Sequence, residues 1–341
     1  ASLQGAVRAF RARVCSRSGG RVVVSDRSKQ ERWRPPERDM SRAASLLTEQ
    51  RNPRSVRLDA LSALEIVELI NSEDRTVADA VSRERGSIAR AAELVANSLR
   101  DGGRLIYVGA GTSGRLGVLD AAECPPTFGT LPGMVVGIIA GGHGALVRAK
   151  EGAEDDREAG AMAVADAEVG PSDVVVGIAT SGITPYVHGA LERARGSRAS
   201  TVFVCCTPVG DGGPEVDVTI APLVGPEVVT GSTRMKAGTA TKLVLNSITT
   251  TAMVLLGKTY GNLMVDLKAT CDKLRDRACR IIMETTGLSY ESAGSLIAEA
   301  GGSVKVAIVM HQADVSAEEA GRLLQRNGGF VRKALAERNA E

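Results

Sequence analysis

Short apolar runs alternate with longer amphipathic segments through the middle of this chain. The runs RLIYV (104–108), MVVGII (134–139), VVVGIA (174–179), STVFVC (200–205) and VTIA (218–221) are rich in Val and Ile. Their near-continuous apolarity marks strands buried on both faces, as in a parallel sheet. With helical segments between them they predict an α/β fold built on a doubly wound parallel sheet. Ahead of it, Leu61 to Ile70 is apolar at helical spacing and Asn71-Ser72-Glu73-Asp74 reads as a break and cap. Thr76 to Leu99 then resumes the period through Val77, Val81, Ile88, Ala92, Val95 and Leu99. Ala237 to about Leu256 is apolar nearly all round, which predicts a buried helix, in the core or at a subunit interface. From Asp272 onward the pattern predicts small helices over 275–286, 289–300, 303–310, 316–326 and 329–338, with Ser289 and Ser316 among the N-terminal signals.

The chemistry gathers where strands end. The first run breaks into Gly109-Ala110-Gly111-Thr112-Ser113-Gly114 before a helix. Such a turn brings backbone N–H groups and hydroxyls to the positive end of a helix dipole, a place for a phosphate. It also matches G-x-G-x-x-G, but a dinucleotide site needs an acidic residue closing the second strand. Here that strand ends in Ala140-Gly141-Gly142, so a sugar phosphate fits better. The third run ends in a second such turn, Thr180-Ser181-Gly182-Ile183-Thr184-Pro185. Ligands of open α/β sheets bind at that edge. A third hydroxyl-rich stretch, Thr230-Gly231-Ser232-Thr233-Arg234-Met235-Lys236, precedes the apolar helix, with Ser232 or Thr233 expected as its N-cap.

Composition narrows the function classes. The chain has 341 residues, 43% apolar and only 3% aromatic, with 38 Gly. That suits an enzyme fold better than a stacking platform for nucleic acid. The net charge of +2 hides an imbalance: residues 1–39 hold ten basic and four acidic residues, so the remainder is mildly acidic, without a basic footprint for nucleic acid. Cysteines at 15, 124, 205, 206, 271 and 279 form no CxxC pair, and with His143, His188 and His311 they suggest no metal site. No disulfide framework is implied, which points to a reducing cytoplasm. No apolar run reaches the 18 residues of a membrane span. The Arg-rich first 39 residues, broken by Gly19-Gly20 and Pro35-Pro36, read as disordered: either transit-like or upstream of a natural start at Met40. The expected divisions are an extension (1–45), a helical segment (46–98), a sheet domain (99–262) and a C-terminal helical domain (263–341).

Two carboxylates stand out. Glu123 precedes Pro125-Pro126 in AAECPP, where a helix break is expected, and Glu154 lies in the acidic run EGAEDDRE (151–158), ordinarily a solvated helix start. Together with RLIYVGAGTSGRLGVLDAAECPPTFG (104–129), DVVVGIATSGITPYV (173–187), VVTGSTRMKAGTATKLVLN (228–246), GNLMVD (261–266) and NGGFVRKAL (327–335), they resemble the N-acetylmuramic acid 6-phosphate etherase family. The likeness runs from about Leu47 to Lys333, within the wider group of sugar isomerase (SIS) domains, and implies a flavodoxin-like three-layer domain.

It further implies cleavage of the D-lactyl ether of N-acetylmuramic acid 6-phosphate during cell-wall sugar recycling. The products are N-acetylglucosamine 6-phosphate and D-lactate, and the enzyme is a cofactor-free, metal-free homodimer. By resemblance Glu123 is the proton donor to the departing lactate and Glu154 the second acid/base residue, acting at C2. The 6-phosphate handle is expected at Thr112, Ser113, Ser181 and Thr184, with backbone help from Gly111 and Gly114 and contributions from Ser232 and Lys236. One departure is Ile183, where relatives carry Arg. A sugar-phosphate-binding regulator and an aldose–ketose isomerase are the alternatives. Neither releases lactate, and a regulator has no need of the two carboxylates.

Overall fold

A computed structural model describes residues 46–210, 213–269, 271–338 and 340, all within the unit Ser41–Glu341. The expected extension 1–45 lies outside the described residues. Five strands form one parallel sheet: β1 (Leu105–Gly109), β2 (Val135–Ile139), β3 (Val174–Ile178), β4 (Ser200–Val204) and β5 (Val218–Ile220), in the order β2-β1-β3-β4-β5. That order is the flavodoxin-like one, and its strand order reverses between β1 and β3. Each strand falls within a residue of its apolar run.

The strands are apolar throughout because helices cover both faces. Leu105, Tyr107, Val174, Val176, Ile178, Val202 and Val204 point into one core, and Ile106, Val108, Val175 and Phe203 into the other. The first core is closed by α1 (Ala63–Arg83), α2 (Arg85–Arg100), α3 (Gly111–Phe128) and α6 (Lys236–Leu255); α4 (Arg157–Asp166) and α5 (Pro185–Gly196) close the second. Two glycines set the α4–α5 crossing. A Cβ on Gly160 would lie 1.9 Å from the Tyr186 carbonyl oxygen, and one on Gly189 2.0 Å from that of Arg157.

After α6 come a two-stranded hairpin, β6 (Thr259–Tyr260) with β7 (Leu263–Met264), and five helices: α7 (Asp272–Thr286), α8 (Tyr290–Glu299), α9 (Val304–Ala313), α10 (Ala317–Arg326) and α11 (Val331–Arg338). These helices share their own apolar core, and Ser289 and Ser316 cap α8 and α10 as expected. Among the described residues no single helix is long and apolar enough to cross a membrane.

Three local expectations are corrected. The predicted break at 71–74 is absent: α1 runs through it, starting from a Ser62/Glu65 capping box, and the chain breaks instead at Glu84. Glu73 turns inward, where Lys236 Nζ (2.6 Å), Asn52 Nδ2 (2.8 Å) and Arg54 Nη1 (2.8 Å) meet its carboxylate, so this polar residue belongs to a buried helix face. The helix α3 does not stop before its prolines; it carries Pro125 and Pro126 in its last turn and ends on Gly129, in the left-handed conformation (φ 63°). A Cβ there would also come 2.3 Å from the Asp266 carbonyl oxygen, so the glycine serves both the cap and a close approach. Finally, neither Ser232 nor Thr233 caps α6. The fully buried Glu227 does, its carboxylate accepting from the N–H groups of Lys236 (3.0 Å) and Ala237 (2.9 Å).

Candidate active site

The turn from β1 into α3 is shaped by its glycines. Gly111 takes φ 54° with open space where a Cβ would stand. Gly114 has none: a Cβ would lie 2.6 Å from both the Gly109 carbonyl oxygen and Ile139 Cγ1. Its N–H donates to the Ala110 carbonyl (3.3 Å), so Gly114 lets the helix start pack against the sheet. Ser113 is buried, and the Thr112 methyl lies near Gly238 in the first turn of α6.

Gly111 opens onto a cavity of about 160 Å³ whose walls include Arg115, Ala145, Lys150, Glu151 and Glu154. The loop between β2 and α4 forms its far side. Arg115 secures that loop, donating to the carbonyls of Leu146 (3.0 Å) and Ala145 (2.8 Å). Glu154 is held through its backbone, its carbonyl accepting from the Tyr186 N–H (3.0 Å) at the start of α5. That contact exists because Gly160 and Gly189 let the two helices close. The Glu154 residue is exposed overall, yet its carboxyl is partly shielded from water, and this raises its pKa above the ordinary carboxylate value. The neighbouring charges of Asp155 and Glu151 act in the same sense. A carboxyl so placed can exchange a proton nearer neutrality than a free one. The solvated-helix reading of 151–158 applies from Asp156, which caps α4 by accepting from the Ala159 N–H (2.8 Å).

A second cavity, about 320 Å³, lies at the end of β3, where Leu46, Gln50, Ser181, Ile183 and Val209 are among its walls. Gly182 (φ 81°) forms the tip of this loop, and the His188 ring nitrogen lies 2.9 Å from its carbonyl oxygen. The His188 ring stands edge-on to Phe203 of β4, which ties the loop to the sheet. Thr184 occupies the N-cap position of α5, with Pro185 as its first residue. Ile183 brings an apolar wall to this cavity.

The remaining expected residues lie apart. Ser232 is half-buried in the turn before α6, and Lys236 is 2% exposed with its ammonium paired to Glu73. Lys236 is a wall of neither cavity. Glu123 is exposed near the far end of α3. At a rise of about 1.5 Å per residue it stands roughly 18 Å along the helix from Gly111. The structure thus joins Gly111 to Glu154, puts Ser181 on its own cavity, and leaves Glu123 at a distance. Arg115 was not singled out from the sequence, although an Arg on the first turn after a Gly-Thr-Ser-Gly turn is itself a signal. Nothing local could have found Glu227, whose partners are nine and ten residues away. Among the described residues no group of three or more His, Cys, Asp or Glu could hold a metal ion.

The same helix α3 also carries part of a buried polar cluster. Tyr107 donates to one carboxylate oxygen of Asp120 (2.9 Å) and Thr249 to the other (3.3 Å). Burial raises the Asp120 carboxyl and pushes the Tyr107 phenol well up. The cluster joins β1, α3 and α6.

Residues 87–195 match the family model described as the glucokinase regulatory protein N-terminal SIS domain. An N-acetylmuramic acid 6-phosphate etherase of Nostoc punctiforme is 56% identical over 264 residues, covering 77% of this chain and 86% of the relative. One of Yersinia pestis (strain Pestoides F) is 54% identical over 265 residues, covering 78% and 90%. Among solved structures, a protein of Escherichia coli CFT073 aligns with 59% of this chain and 97% of its own at 16% identity. The TM-score of that alignment is 0.43.

Proposed function

Because the chain belongs to the N-acetylmuramic acid 6-phosphate etherase family, we propose that it cleaves the D-lactyl ether of N-acetylmuramic acid 6-phosphate, acting as a homodimer in the cytoplasm. It is a carbon–oxygen lyase, and its products are N-acetylglucosamine 6-phosphate and D-lactate. The observation that carries this reading is Glu154: a carboxyl with a raised pKa, on the same cavity as the glycine turn Gly111. In the open-chain sugar the aldehyde at C1 acidifies the proton at C2. Glu154 takes that proton while the C3–O bond breaks, and an acid delivers a proton to the lactate oxygen, which is otherwise a poor leaving group. Glu123 is that acid. Water then adds at C3 of the unsaturated aldehyde and a proton returns to C2, the same groups working in reverse. Thr112, Ser113, Ser181 and Thr184 hold the 6-phosphate, a remote handle that positions the reacting carbons. Ser232 supports the neighbouring turn. The buried Glu73–Lys236 pair makes Lys236 an anchor for α6, and the packing around Gly114 makes that residue a spacer. Residues 99–262 form the SIS part, between the helical segment 46–98 and the helical domain 263–341, which has its own core.

The match to a regulatory protein's SIS domain favours a second reading, a sugar-phosphate sensor. A sensor would need no raised carboxyl beside the turn. The deciding experiment is incubation with N-acetylmuramic acid 6-phosphate in H₂¹⁸O, for wild type and for folded Glu123→Gln and Glu154→Gln. D-lactate release with solvent oxygen at C3 of the sugar, lost in both variants, supports the lyase. Tight binding without lactate supports the sensor.

A further inference from the structure

The proposed substrate carries two anions, and the residues named above hold only its 6-phosphate. The second anion is the lactyl carboxylate. It is joined to C3 through the ether oxygen and one carbon, so it stays close to C2 and to the group that removes the proton there. With Glu154 as that group, two carboxylates share a cavity of about 160 Å³ that also has Glu151 on its walls. Like charges at such range oppose binding unless a cation faces them.

Arg115 and Lys150 both line this cavity. Arg115 is committed to the loop through its hydrogen bonds to the carbonyls of Leu146 and Ala145. Lys150 is placed differently. Its stem lies across Gly141, just past β2, where a Cβ on the glycine (φ 84°) would come 2.7 Å from Lys150 Cδ and 3.3 Å from Lys150 Cβ. The missing side chain of Gly141 makes room for that stem. The ammonium has three donors, and it makes one long hydrogen bond, to the Gly141 carbonyl (3.4 Å). Among the described residues it pairs with no carboxylate. The charges that act on Glu154 are those of Asp155 and Glu151. Lys150 therefore has its stem seated on the cavity wall and its charged end free to meet a ligand.

We infer that Lys150 binds the lactyl carboxylate of the substrate in the cavity it shares with Glu154. The inference rests on the reaction proposed above. The ammonium offsets the repulsion between the two carboxylates, and it favours the lactate oxygen as negative charge grows there during C–O cleavage. It also makes the site selective, because a sugar phosphate without an acidic substituent at C3 leaves Lys150 without its partner.

The test pairs a change in the protein with a change in the substrate. Wild type, Lys150→Met and Lys150→Arg are assayed on N-acetylmuramic acid 6-phosphate and on its lactamide, whose carboxylate is replaced by an uncharged amide. Release of D-lactate or D-lactamide is followed by chromatography. Lys150 is exposed, so Lys150→Met, which keeps the stem and removes the charge, is expected to fold as wild type does, checked by circular dichroism. The preference for acid over amide in kcat/KM is expected to be about 10- to 100-fold greater in wild type than in Lys150→Met, the span of a hydrogen bond to a charged group. The intrinsic difference between the two leaving groups cancels in that ratio. Lys150→Arg is expected to keep the wild-type preference. An equal loss on both substrates in Lys150→Met would overturn the inference, since a structural role, or a contact with the 6-phosphate that both substrates carry, weakens both alike. Unchanged kinetics in Lys150→Met would overturn it too, while leaving the lyase reaction standing. A wild type that releases neither product would instead remove the reaction itself, and the inference with it.

Discussion

Replacing Lys236 by Met is the sharpest test of how this fold is held. Met reproduces most of the aliphatic stem while removing the ammonium, which is 2.6 Å from the Glu73 carboxylate with side chains 3% and 9% exposed. Breaking a buried pair by deleting one partner leaves an uncompensated charge and costs about 3–5 kcal/mol. Arg54, with a side chain 54% exposed, and Asn52 remain on Glu73. They offset part of the loss and put the expectation near the lower bound, about 3 kcal/mol. With a urea m-value of about 3 kcal/mol per molar, the unfolding midpoint falls by about 1 M. Burial alone would raise the Glu73 carboxyl, but Lys236, Asn52 and Arg54 outweigh it and hold the pKa below its ordinary value. In wild type this contribution is therefore present above the unfolded pKa of about 4.3 and lost as pH falls through the lower folded value. In Lys236→Met the sign reverses: the orphaned carboxylate is a penalty above that range, and protonation relieves it. The gap between the two proteins should thus narrow as pH falls towards 4, measured by urea unfolding followed by circular dichroism. Adding Glu73→Gln to Lys236→Met should recover stability to within about 1 kcal/mol of wild type. A midpoint unchanged by Lys236→Met, or a gap independent of pH, would refute the reasoning.

Other consequences follow from the site. As the proposed base, Glu154 works in deprotonated form, so the acid limb of kcat/KM against pH should lie above the free carboxylate value of about 4.3. Asp155→Asn with Glu151→Gln removes two charges that raise it and should move that limb to lower pH; an unmoved limb would exclude Glu154 as the titrating base. Gly160→Ala drives a methyl into the Tyr186 carbonyl. It should cost about 2 kcal/mol, read as a melting temperature lowered by about 5 °C, and lower kcat through the Glu154–Tyr186 contact. Asp120→Ala leaves the buried Tyr107 hydroxyl without its acceptor and should destabilise by at least about 2 kcal/mol in chemical denaturation.

What the sequence determined by itself is local or repeated. Five apolar runs placed five strands, because a strand covered on both faces has no polar side to obscure it. Serines ahead of α8 and α10 marked their starts, since a cap acts within three residues. The glycine turns at Gly111 and Gly182 were legible because their backbone angles exclude most other residues. The failures involve partners far away in sequence. Glu73 looked like a helix break because its counter-charge, Lys236, lies 163 residues on. For the same reason nothing near Lys236 in sequence announced that its ammonium pairs with Glu73. The cap of α6 came from Glu227, a carboxylate outside the usual capping position, and α3 kept its prolines because Gly129 docks on Asp266. The distance between Glu123 and Glu154 was also out of reach of pattern. Two glutamates 31 positions apart in sequence can be neighbours or strangers, and only the run of α3 in the fold decides which. Charge and shape find their partners through space, so tertiary packing alone settles where a polar residue's interaction goes.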